Sequence, residues 1–230
     1  MESKKSLRET LLRYLREPMS ALTHVIALVL AVIGLIVLVV ETLNVPDRLV
    51  SVAVYGVALV AMFAASTALH ATHGDGKTLA WLARLDHAAI YLLIAGSYTP
   101  ICYNLLDGFW QWGMLTIVWG IALVGIALKL SVFDGGQSNW LSTASYLVMG
   151  WLAVLAFPHL VTTLPWQATL LIVLGGLAYS AGVYFFVVGQ KLELKPIPKP
   201  FFGYHEWWHL FVMVGSLVHF LAVWRYVAAA

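Results

Sequence analysis

Ionisable side chains are scarce in this sequence, and where they gather their types point to metal chemistry. His205 and His209 stand four apart in HisGluTrpTrpHis. Residues at i and i+4 share a helix face, so one rigid element offers two imidazoles to a single ion. Ser66 stands in the same relation to His70 in SerThrAlaLeuHis. His70 completes the three-nitrogen set that zinc uses in catalytic sites, where water keeps the fourth position. Asp86 then suits the role of accepting a hydrogen bond from that water. Ser66 is placed to orient Asp86, the water or a substrate oxygen. The same groups have a plainer use, as an interhelical hydrogen-bond network that holds a bundle together.

The remaining histidines and acids fit such a site less well. His73, three residues beyond His70, is an alternate ligand by spacing, but HisGlyAspGly reads as a solvated loop. His87 points about 100° around the helix from Asp86. His219 lies ten residues past His209, ~15 Å deeper at helical rise, and reads as a buried polar contact. His159 is expected in an outer loop. Cys102 is sixteen residues past Asp86, ~24 Å along a helix, and is no ligand. His24 and Glu17 are seven apart and are expected to touch. Glu206 is expected to turn away, toward lipid headgroups.

The elements that carry these residues are membrane spans. Of 230 residues, 61% are hydrophobic and 10% charged, outside the range of ordinary soluble domains. A helix needs ~20 apolar residues to cross the hydrocarbon core, and seven segments qualify, at 19–40, 49–71, 87–106, 110–128, 140–157, 166–188 and 205–227. The expected fold is therefore an all-α integral membrane protein of seven transmembrane helices over residues 19–230. Residues 1–18 precede them as an amphipathic segment on the cytoplasmic surface, with Leu7, Leu11 and Leu15 at helical spacing among arginines. Thr99-Pro100 is expected to kink the third span, and Gly175-Gly176 to admit a close neighbour.

Orientation follows from the lysine and arginine bias. With the N-terminus cytoplasmic and the C-terminus extracytoplasmic, the inner segments hold Lys4, Lys5, Arg8, Arg13, Arg16, Lys77, Arg84, Lys129, Lys191, Lys195 and Lys199, eleven of thirteen basic residues. Only Arg48 and Arg225 fall outside. His70, Asp86, His205 and His209 then share one level near the cytoplasmic face. Nothing points to nucleic acid, a nucleotide loop or an organic cofactor.

Glu17-Pro18 followed by LeuThrHis, SxxxH at Ser66 to His70, Asp86-His87, GlySerTyrThrPro at Gly96 to Pro100, and HxxxH at His205 to His209 occur in one order. Together they resemble the bacterial haemolysin III family, which is similar to the progestin and adiponectin receptors and, more distantly, to alkaline ceramidases. The resemblance implies Zn2+ on His70, His205 and His209, with Ser66 and Asp86 in the site, in a multi-pass protein of the bacterial inner membrane. The activity it implies is hydrolysis of a lipid amide or ester, membrane lipids being substrate or ligand. The alternative is a non-catalytic, receptor-like or membrane-homeostasis protein with structural zinc. Seven spans argue against direct cytolysis, and ionisable groups gathered at one face argue against transport.

Overall fold

A computed structural model of the chain describes residues 7–131, 140–193 and 202–230. Lys4, Lys5, Lys195 and Lys199 lie outside the described residues. All regular structure among the described residues is helical: α1 (Leu7–Tyr14), α2 (Pro18–Thr42), α3 (Pro46–Ala71), α4 (Gly76–Leu105), α5 (Met114–Leu130), α6 (Trp140–Trp151), α7 (Phe157–Thr163), α8 (Trp166–Glu193) and α9 (Tyr204–Val223). A π-helical turn, Phe109–Gly113, leads into α5, and another, Trp224–Ala228, extends α9. Gly108 opens the first with φ +52°, a conformation natural to a residue without Cβ.

Among the described residues six helices are long and apolar enough to cross a membrane, and α6 with α7, bent by 46°, makes a seventh crossing when counted as one span. Continuous helices are the natural answer to a solvent that offers the backbone no hydrogen bonds. The expected fifth span thus runs past residue 157 and breaks. Between α6 and α7 the helix gives way to a 3₁₀ turn, Leu152–Val154, and Pro158 sits in the first turn of α7, where its missing N–H costs no helical hydrogen bond.

On α2, Ser20, His24, Ala27, Ala31, Gly34 and Leu38 are buried, whereas Ile26, Val29, Leu30, Ile33, Ile36 and Val40 are exposed. Small residues recurring at helical spacing let α2 approach its neighbours closely, while the bulky face meets lipid. The apolar interior forms two clusters. One gathers Ala31, Val52, Tyr55 and Val212; the other gathers Met114, Val118, Met149 and Leu160. Helix α4 gives Ala89 and Leu93 to the first and Tyr91, Ala95 and Cys102 to the second, so it stands between them. At Gly175 a Cβ would strike the His219 ring, the close approach that glycine there permits.

One end of the bundle is tied by the chain leading into α2. The Glu17 N–H donates to the His70 carbonyl at 2.9 Å, and the Arg16 N–H to that of Ala71 at 3.4 Å. Arg16 Nη2 donates to the Leu69 carbonyl at 2.8 Å. The last carbonyls of a helix have no partner within it, and here the preceding segment satisfies those of α3, with a cation at the negative end of the helix dipole. Pro18 at the first turn of α2 keeps Glu17 outside the helix, so its carboxylate lies against His70.

Helix α4 begins at Gly76, eleven residues before the expected start of its span. Asp75 caps it, accepting the Thr78 N–H at 2.8 Å. Asp86 and His87 therefore lie well inside a helix rather than opening one.

Candidate metal centre

Helices α3 and α9 meet at the tied end. His70, in the last turn of α3, is buried, as is His209 in the second turn of α9; His205, one turn earlier, is partly buried. Their candidate ligand nitrogens all lie within 4.8 Å of one another, a spacing that can hold a metal ion. His70 Nε2 and His205 Nε2 are 3.3 Å apart. Two nitrogens bound at ~2.0–2.1 Å to one tetrahedral ion stand about 3.3 Å apart, so this edge of the triangle has the span that such an ion needs.

The far nitrogens of two of these rings are held. His70 Nδ1 pairs with the Glu17 carboxylate. An ionised carboxylate only accepts, so Nδ1 carries the proton and Nε2 presents its lone pair. His209 Nδ1 is 3.2 Å from Thr23 Oγ1, whose own hydroxyl donates to the Ser20 carbonyl at 2.9 Å. That hydroxyl is left to accept from His209, which again puts the lone pair on Nε2. A carboxylate or hydroxyl behind a histidine, fixing tautomer and ring orientation, is the usual support of a metal ligand. The donor set therefore fits a divalent ion that prefers imidazole. Burial alone raises the Glu17 carboxyl, but the hydrogen bond and charge interaction with His70, helped by Arg16, outweigh it and hold the group down at about 2.

Ser66, one turn before His70 and buried, hydrogen-bonds the Asp86 carboxyl. Both line a single cavity of about 190 Å³ with His70, His205 and His209. Its other walls are chiefly apolar, including Met62, Leu93, Phe186 and Val212.

The sequence pattern of the haemolysin-III related proteins matches residues 12–220. The chain belongs to this family. It is 36% identical over 210 residues to "Hemolysin-3" of Bacillus cereus, covering 90% of both chains. The "Hemolysin-3 homolog" of Bacillus subtilis is 37% identical over 210 residues, 90% of this chain and 92% of that one. The human "Monocyte to macrophage differentiation factor" is 28% identical over 179 residues, 76% of this chain and 69% of its own.

Several polar residues of this haemolysin III-related protein stand elsewhere than the sequence suggests. Glu17 does not meet His24; it pairs with His70 and, at 3.5 Å, with Arg16. His24 instead stacks on His209. Glu206 does not turn to headgroups: it accepts the Ser20 hydroxyl at 2.6 Å and the Gly203 N–H at 2.7 Å, joining α2 to the start of α9. His159 lies within α7 rather than in a loop and contacts Asp107 at 3.3 Å. His73 is exposed. His219, as expected, is a polar contact inside the bundle, its Nε2 3.1 Å from the Ile172 carbonyl. Cys102 is buried away from the cluster. Ser20, Thr23 and His24 were hidden in an apolar span. Their signal was position, on the small-residue face of α2 that also carries Ala27, Ala31 and Gly34.

Proposed function

We infer that the three histidines hold zinc and that the protein hydrolyses a lipid amide or ester at the bundle end carrying Glu17 and the start of α9, which the basic-residue bias assigns to the cytoplasm. The observation that carries this reading is the convergence of three imidazoles, two with their far nitrogens engaged, with Asp86 and Ser66 on one largely apolar cavity. Zinc so held supplies a Lewis acid and a water of pKa ~7. Asp86 takes a proton from the attacking water as its oxygen bonds to the scissile carbonyl carbon. When the C–N or C–O bond breaks, Asp86 passes that proton to the leaving amine or alcohol. Ser66 holds the Asp86 carboxyl in place for both transfers. The apolar walls suit an acyl chain.

The test couples metal analysis to turnover in detergent-purified protein. The parent is expected to carry about one zinc per chain, and His70→Ala and His209→Ala little. Asp86→Asn is expected to keep its zinc and lose turnover of fluorescent N-acyl and O-acyl lipids by about 10²–10⁴-fold, the usual contribution of a general acid–base. Loss of zinc in Asp86→Asn, or a zinc-loaded parent that cleaves none of these lipids, would instead favour a structural ion in a receptor-like protein.

A further inference from the structure

His24 stands beside the histidine triangle without belonging to it. Its ring lies flat on that of His209, with centroids 3.6 Å apart and planes 18° from parallel, and meets Phe63 edge-on at 5.2 Å. It is 3% exposed, and neither Nδ1 nor Nε2 has a hydrogen-bond partner among the described residues. It lines the cavity shared by His70, Asp86, His205 and His209.

The stacking decides what this ring can do. Imidazole nitrogens bind in the ring plane. An ion ~2.0–2.1 Å from a His209 nitrogen lies in that ring's plane, hence well off the parallel plane of His24. A fourth histidine ligand is excluded in this arrangement. What remains is a buried ring on the wall of a cavity with two unmade hydrogen bonds, and a polar group that enters the cavity can meet one of them.

We propose that His24 is the specificity-determining contact of the cavity, hydrogen-bonding a neutral hydroxyl or amide group of the lipid that occupies it. This rests on the hydrolase reading for the ligand being a lipid. A neutral imidazole offers one donor and one acceptor on diverging sides of the ring, and a hydroxyl or a secondary amide can meet whichever of the two it reaches. A phosphate or carboxylate supplies acceptors only, so it can meet the N–H alone, and it brings a charge against the apolar walls at Met62 and Val212.

His24→Phe keeps an aromatic face against His209 and the edge contact with Phe63 while removing both nitrogens. His24→Gln restores one amide donor and one acceptor. The experiment measures zinc per chain, and binding of N-octanoylethanolamine and methyl octanoate, in the full-length zinc-loaded protein and both variants. Zinc is expected to be unchanged throughout. The parent is expected to prefer the ethanolamide by about tenfold, the size of one hydrogen bond; His24→Phe loses this preference and His24→Gln recovers part of it. If His24→Phe does not fold, His24→Gln decides by shifting the preference or leaving it intact. An unchanged preference in the folded variants overturns the proposal, as does a parent that binds both probes alike. Zinc loss from folded His24→Phe overturns it too, by making the ring a ligand. A zinc-loaded parent that binds neither probe overturns the hydrolase reading together with the inference built on it.

Discussion

Glu17 reaches His70 from outside the helices that carry the histidines, and its effect on a bound ion can be measured. Glu17→Gln keeps the shape but removes the charge that fixes the His70 tautomer and makes its Nε2 more basic. Metal affinity is expected to fall about 10–100-fold, the usual cost of losing such a partner, read by chelator competition. Thr23→Val, which takes the acceptor from His209 Nδ1, is expected to act in the same direction. The histidines themselves were legible because i and i+4 spacing is set by helix geometry alone. Glu17 was misread for a physical reason. Seven residues from His24, it has the spacing of a shared helix face, but Pro18 starts α2 and leaves Glu17 in the preceding turn. Its partner is 53 residues away, a distance at which spacing carries no information.

The helices carry their own tests. Asp75 caps α4 through the Thr78 N–H, and that backbone hydrogen bond, with the Thr78 hydroxyl behind it, holds the carboxyl below its usual value of 3.8. A carboxyl depressed in the folded state stabilises above its unfolded pKa and loses that effect as pH falls through the folded one. Hydrogen-exchange protection of the first turn of α4 should therefore drop on acidification below about 3.8, and in Asp75→Ala the acid-induced change should be missing. Between α8 and α9, Gly175→Ala would push a methyl into the His219 ring and disturb its contact with Ile172. A loss of about 1–3 kcal/mol, typical of overpacking, is expected in thermal unfolding in detergent. The spans were legible because a run of ~20 apolar residues matches the thickness of the hydrocarbon core and exceeds what most soluble helices bury. The early start of α4 was not, since Lys77 and Arg84 look like loop charges although a helix continues through them beyond the apolar slab. The break before α7 was also missed, because mean apolarity does not register a 3₁₀ turn inside an apolar run.

Across the whole molecule, the sequence establishes membrane crossing more firmly than it establishes sidedness. With the bent α6–α7 pair counted as one span, seven crossings put the two termini on opposite sides, and the basic-residue bias predicts a C-terminus on the outer one. A periplasmic reporter enzyme fused after Ala230 is expected to be active, and a reporter that matures only in the cytoplasm to be silent; the reverse pattern would invert the assigned sidedness. Convergence of α3, α4 and α9 at one end was legible only as a shared depth. That α2 would contribute Ser20, Thr23 and His24 was not, because contacts between the first and last spans depend on how the bundle closes. That closure sets an order of events during synthesis. Residues 17–24 and His70 enter the membrane early, but His205 is made 135 residues after His70 and His209 later still. Until then His70 has Glu17 but no second imidazole, and His24 has no ring to stack on. The cluster is thus a late product of translation, and its formation marks a chain whose α9 has been made and packed against α2 and α3.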